Sequence, residues 1–174
     1  MSRRGSAAEP PALDPHLQQR VRIIMAHGRV DEAMAELRRS GFDRLDLRDA
    51  FMKGVWWGGL NLAGALLSGI DLTNAMLTNV NFSGADLRRA TLDRAALRGA
   101  DLRGADLRGA SLQNAGLDEA LLEGAILKGA RLDGAILPEG MVWDGMPVDS
   151  VDWLGTPSSF KAIASPRGLR FRSV

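Results

Sequence analysis

A large apolar residue recurs at every fifth position of this chain for 19 consecutive units. The register runs Leu47, Met52, Trp57, Leu62, Leu67, Leu72, Leu77, Phe82, Leu87, Leu92, Leu97, Leu102, Leu107, Leu112, Leu117, Leu122, Leu127, Leu132 and Leu137. Two positions before each central residue stands a second small or apolar one, such as Ala65, Ile70, Val80 or Ala105. A helix cannot use this spacing, because residues five apart are offset by about 140° and form no stripe. A continuous strand fails too: the step of two keeps both apolar residues on one face, but the following step of three breaks the alternation. A short extended piece followed by a corner satisfies both steps. Corner chemistry stands where it is needed: the second residue after the centre is Gly at 54, 59, 64, 69, 84, 99, 104, 109, 124, 129 and 134, and Asn at 74, 79 and 114. Both types tolerate positive φ in tight turns. A chain that turns the same way at every corner closes into stacked coils, a solenoid.

AlaAspLeuArgGly at 100–104 and again at 105–109, ValAsnPheSerGly at 80–84 and AlaThrLeuAspArg at 90–94 carry a resemblance to the pentapeptide-repeat proteins. It spans about 95 of the 174 residues. The resemblance implies a mainly β fold, a right-handed quadrilateral β-helix with four repeats per coil. Given four repeats per coil, central residues 20 apart stack, so that Leu67, Leu87, Leu107 and Leu127 form one ladder at about 4.8 Å per step. The rod is then about 23 Å long and filled by its own side chains, with no room for a ligand chamber.

The flanks divide the chain into a tail at 1–13, a helical N-terminal cap at 14–40, the β-helix at 41–140, and an irregular C-terminal cap and tail at 141–174. Asp14 followed by Pro15 starts a helix whose Leu17, Val21 and Ile24 share one face and which stops at Gly28. Asp31 is placed to cap a second helix carrying Met34 and Leu37 and ending at Gly41. Two such helices hide the open first coil, or form a separate partner-binding hairpin. By register Trp57 points inward and Trp56 outward; the pair either packs beneath the helices or offers Trp56 as an aromatic contact. Beyond Leu137, Val142, Trp143, Trp153 and Phe160 are candidates to close the far end, and residues 165–174, with Arg167, Arg170 and Arg172, read as a loose basic tail.

Chemistry is sparse. The chain has no cysteine, and its two histidines, His16 and His27, lie outside the repeats. No metal-ligand spacing appears, so no metal, cofactor or catalytic residue is assigned. Gly99 and Gly104 fit the start of a phosphate loop, but Ala105 stands where lysine is required. A catalytic carboxylate pair needs a cleft to separate its pKa values, and a convex rod provides none. With 45% hydrophobic and 25% charged residues, no run of 18 apolar residues and no apolar leader stretch at the start, the expectation is a cytoplasmic protein without a membrane span.

Function is therefore expected on the outside. Stacking the residue after each centre gives Arg48, Ser68, Arg88, Arg108 and Lys128 on one side, alternating with Asp46, Asp86 and Asp106. This is either a self-neutralising surface or, with Arg89 and Arg94 replacing Gly or Asn at corners and joined by Arg98 and Arg103, a basic belt for a partner's acidic surface. The expected function is a non-enzymatic scaffold docking an unidentified protein partner through Arg88, Arg89, Arg94, Arg108 and Trp56. The resemblance implies an alternative, since some members are acidic DNA mimics that bind topoisomerases such as gyrase and protect them from inhibitors. Charge opposes this: residues 41–140 carry 11 Lys/Arg and 13 Asp/Glu, interleaved, where a mimic needs a continuous acidic face. Nor does an overall charge of +1 suit direct nucleic-acid binding.

Overall fold

The computed structural model describes residues 13–139 together with the strand residues Met141–Val142 and Arg170–Phe171. Helix α1 spans Pro15–Ala26 and helix α2 spans Val30–Arg39. The Asp14 carboxylate accepts the backbone N–H groups of His16 (3.0 Å) and Leu17 (3.2 Å), and Pro15 occupies the first helical position, where its missing N–H costs nothing. Leu13, assigned by sequence to the tail, is buried.

Helix α2 departs from its expected start. Its N-cap is Arg29, which makes no side-chain cap, and Asp31 lies inside the first turn. Ala33 N–H already donates to the Arg29 carbonyl at 3.1 Å, so the chain re-enters a helix directly after the Gly28 corner, too early for Asp31 to cap it. Asp31 and Glu32 still favour the positive end of the helix dipole. The buried stripe of α1 is Leu17, Val21 and Met25, and α2 adds Ala33 and Leu37. Glu36, nearly enclosed, sits between Arg20 and Arg39 and pairs with both.

From Leu45 to Ile136 the chain winds as a regular coil. Parallel bridges join residues 20 apart, from Asp46 with Leu66 to Gly116 with Ile136, so that each turn contains four five-residue repeats. Rungs join each turn to both neighbours: Leu87 N–H donates to the Asp106 carbonyl of the next turn (2.8 Å) and Asp86 N–H to the Ala65 carbonyl of the preceding one (2.9 Å). Each corner is closed locally, as where Ala90 N–H donates to the Leu87 carbonyl at 3.1 Å. The residue two after each centre, from Asp49 to Gly134, has φ between 54° and 72°. Glycine, asparagine and aspartate (Asp49) tolerate that conformation, whereas Arg89, Arg94 and Glu119 adopt it against the usual preference.

The four sides of the coil can be named by their repeats. The first holds 45–49, 65–69, 85–89, 105–109 and 125–129; the second begins at 50–54, the third at 55–59 and the fourth at 60–64, each recurring every 20 residues. Leu67, Leu87, Leu107 and Leu127 stack inside at 2% exposure or less, with Leu72, Leu77, Phe82, Leu92, Leu97, Leu102, Leu112, Leu117, Leu122 and Leu132 also buried. Each such leucine contributes roughly 1.5–3 kcal/mol by leaving water.

Strand β1 (Met141–Val142) pairs antiparallel with β2 (Arg170–Phe171). Arg170 and Phe171 are thus paired, where sequence suggests a loose tail. The closing roles expected of Trp143, Trp153 and Phe160, and most of the 1–13 and 165–174 tails, lie outside the described residues.

Candidate interaction surface

Outward positions flank each centre, so a residue before it and a residue after it lie side by side on the surface. Where these are Asp and Arg, the side chains close on each other. The Asp86 carboxylate accepts Arg88 Nε and Nη2, both at 2.7 Å, and the Arg88 backbone N–H at 3.2 Å. Asp46 with Arg48, Asp101 with Arg103 and Asp106 with Arg108 repeat the arrangement. Arg88 also reaches Asp106 on the next turn at 3.9 Å.

Burial opposes ionisation of Asp86, but the Arg88 hydrogen bonds outweigh it and hold the carboxyl below the usual range. The hydrogen bond from Arg103 lowers Asp101 in the same way. Asp71 is lowered against its burial by Thr73 and by Lys53 from the preceding turn, 3.3 Å away. On the third side Arg98 binds Asp118 (3.3 Å) and Glu119 (2.7 Å), which lowers Glu119.

These pairs split the expected basic belt. Arg88 and Arg108 are each held by aspartates, so their charge is matched locally. Arg89 and Arg94 differ: both are exposed at corners with φ of 57° and 58°, and among the described residues neither has an ion-pair or hydrogen-bond partner. They stand at the two edges of the second side in one and the same turn. Between and below them lies a surface fixed by Asp93, which accepts Ser111 Oγ at 2.5 Å and the Gln113 N–H at 3.1 Å, while Gln113 Nε2 donates to Asp133 at 3.0 Å. A shallow recess of about 520 Å³ adjoins Arg89, lined by Asp49, Ser68, Gly69, Arg88, Arg89 and Arg108.

The five expected contact residues do not share a plane. Arg88 and Arg108 lie on the first side, Arg89 and Arg94 at successive corners, and Trp56 on the third side. Trp57 alone packs beneath α1, at 0% exposure, and Trp56 is 81% exposed. Sequence reading did not register that Arg98 is engaged by Asp118 and Glu119; the offset of 20 residues between neighbouring turns carries that signal. Among the described residues no group of His, Asp or Glu could hold a metal ion, and no helix is long and apolar enough to cross a membrane.

Comparison with known proteins gives a consistent picture. A family model described as pentapeptide repeats, in eight copies, matches residues 59–94 and 90–129. HetL, a pentapeptide repeat protein involved in heterocyst differentiation regulation in the cyanobacterium Nostoc, is 38% identical over 60% of this chain and 45% of its own, with a TM-score of 0.50. A second Nostoc pentapeptide repeat protein is 35% identical over 62% of this chain and 84% of its own, with a TM-score of 0.38. One from the thylakoid lumen of Arabidopsis thaliana is 29% identical over 52% of this chain and 60% of its own, with a TM-score of 0.41. The chain thus spans about half the length of HetL and under two thirds of the Arabidopsis protein. No curated protein matches it.

Proposed function

The chain belongs to the pentapeptide-repeat family, and from that premise we propose that it is a non-enzymatic cytoplasmic scaffold that docks a partner protein on its outer faces. In this reading the coil is right-handed, α1 and α2 cap its first turn, and the interior serves only to hold the exterior rigid. The observation that carries the proposal is the pair Arg89 and Arg94. Two guanidinium groups without a partner among the described residues are held at backbone angles that side chains ordinarily avoid, on either edge of one side. Such local strain persists only where the surrounding structure over-determines it, and it concentrates at functional positions. The partner surface that fits is acidic and flat, with carboxylates spaced to meet both edges. Arg88 and Arg108, already matched by aspartates, contribute orientation and steering more than net charge.

The charge pattern supports this over a DNA mimic that engages a topoisomerase. Asp46, Asp86, Asp101 and Asp106 are bound by arginines within their own repeats, and Asp71 and Asp118 by cations of the preceding turn, which argues against a continuous phosphate-like row. The test is capture from the native host with wild-type protein and with Arg89→Glu/Arg94→Glu, followed by mass spectrometry. A partner retained by the first and lost by the second, with the β signal unchanged, supports the reading. Equal retention removes these corners from the interface, and inhibition of DNA supercoiling by micromolar protein would favour the topoisomerase alternative.

A further inference from the structure

The third side differs from the others in the residues before its centres. Reading down the bridged column, these are Trp56, Met76, Ala96, Gly116 and Ile136, with no polar residue among them. Trp56 is 81% exposed, Met76 45% and Ile136 62%, so among the described residues nothing covers this column at those positions. We propose that this side pairs with the same side of a second copy of the chain, antiparallel, about a two-fold axis that lies in the interface across the level of Ala96.

The order of sizes along the column argues for this occupant. Reversing the column about Ala96 sets Met76 against the gap at Gly116, Trp56 against Ile136, and Ala96 against itself. A large side chain thus meets a small one, the two ends meet apolar to apolar, and the axis crosses the small, self-paired Ala96. An isologous two-fold contact requires just such self-complementarity, and the exposed Trp56 supplies a large apolar contact at each end of the pair.

Charge agrees with the same register. Arg98 follows the centre in the Ala96 repeat, and Asp118 follows it one turn further on. In the antiparallel pair each Arg98 lies between its own Asp118 and that of the second copy. Two arginines are then surrounded by two aspartates and two copies of Glu119, so their mutual repulsion is screened. A parallel pair would instead place Arg98 over Ala96 and Asp118 over Gly116, so that neither charge meets an opposite charge from the second copy.

Five levels at about 4.8 Å and a side about 10 Å wide make a footprint of a few hundred Å² per copy, below the roughly 800 Å² of a standard interface. The pairing is therefore weak, with a dissociation constant on the order of 0.1–1 mM, and serves to double the partner-docking corners when copies are brought together.

The test uses the full chain, which has no cysteine of its own. In Ala96→Cys a short bis-maleimide should link two copies several-fold more efficiently than in Ser83→Cys on the fourth side. Sedimentation of the wild type up to about 1 mM should show monomer–dimer exchange, within the affinity range of weak contacts. Gly116→Arg should abolish that exchange and leave the circular dichroism unchanged, because a Cβ there meets only Asp118 Oδ1 at 3.5 Å and the backbone is not at positive φ. Linking no better at 96 than at 83, or a wild type that stays monomeric throughout, overturns the proposal and leaves this side to a different protein.

Discussion

Trp57 Nε1 donates to the carbonyl oxygen of Met25 at 2.8 Å, inside a region where both side chains are fully buried. That bond joins the centre of the first turn's third side to the C-terminal end of α1. The same carbonyl accepts Gly28 N–H, also at 2.8 Å, so it is not orphaned when the indole is removed. Arg22 Nη2 adds a second tie, donating to the Arg48 carbonyl at 2.9 Å.

Trp57→Phe should accordingly reduce stability by about 1 kcal/mol from the lost hydrogen bond, plus the cost of the smaller ring. Urea denaturation measures the total, and hydrogen exchange should show faster exchange in α1 than in the middle turns. Unchanged exchange in α1 would mean the indole does not hold the helix to the coil.

Leu107→Ala removes a side chain at the axis and should cost 2–5 kcal/mol, whereas Ile126→Ala, on the outer face and 45% exposed, should stay within about 0.5 kcal/mol. Comparing denaturation midpoints at equal slope decides it. Similar losses at both positions would contradict the inward register.

That register is the part of the fold most legible in sequence. Trp56 and Trp57 are chemically identical neighbours, yet the five-residue phase alone separates them, and they are 81% and 0% exposed. Asp14 and Pro15 likewise announce α1, because capping is a local event. The start of α2 was less legible, since it depends on how tightly the chain turns at Gly28 and not on the nearest capping residue. Charge matching was partly legible. The pair Asp86 and Arg88 is two residues apart and visible in one repeat, but Arg98 with Asp118 requires knowing which residues stack one turn away. For the same reason sequence groups Arg88, Arg89, Arg94, Arg98, Arg103 and Arg108 as one belt, although only the coil shows that Arg88, Arg98, Arg103 and Arg108 are held by aspartates.

Corner glycines give a graded test. Gly99 and Gly104 share a φ of 65°, but a Cβ on Gly99 would lie 2.3 Å from Asn79 Oδ1, while one on Gly104 meets nothing within 4 Å. Gly104→Ala should cost about 1–2 kcal/mol for its left-handed backbone, and Gly99→Ala more, since Asn79 must also move. Thermal melts of the two variants measure the difference; equal melting temperatures would mean the Asn79 side chain has no fixed place over the next turn.

Acid should weaken the rod through its bound aspartates. Asp86, Asp101 and Asp71 have folded-state pKa values below the unfolded value of 3.8, so the folded form binds protons less readily than the unfolded one. Their contribution is complete above that value and disappears as pH falls through the folded-state pKa. Stability from chemical denaturation should hold between pH 7 and 5 and drop below about pH 4. Asp101→Asn should flatten the acid limb, and a slope identical to the wild type would show that the Arg103 contact does not stabilise the ionised form.

The most direct measurement is made on the two corner arginines, Arg89 and Arg94, together. In Arg89→Gly/Arg94→Gly the strained positions receive the residue their backbone favours, which should leave stability unchanged or raise it by up to about 1 kcal/mol. Titration of a captured partner at two salt concentrations should then show weakened binding and a smaller salt dependence than the wild type. Binding of undiminished strength and salt dependence in a variant of equal stability would contradict the account.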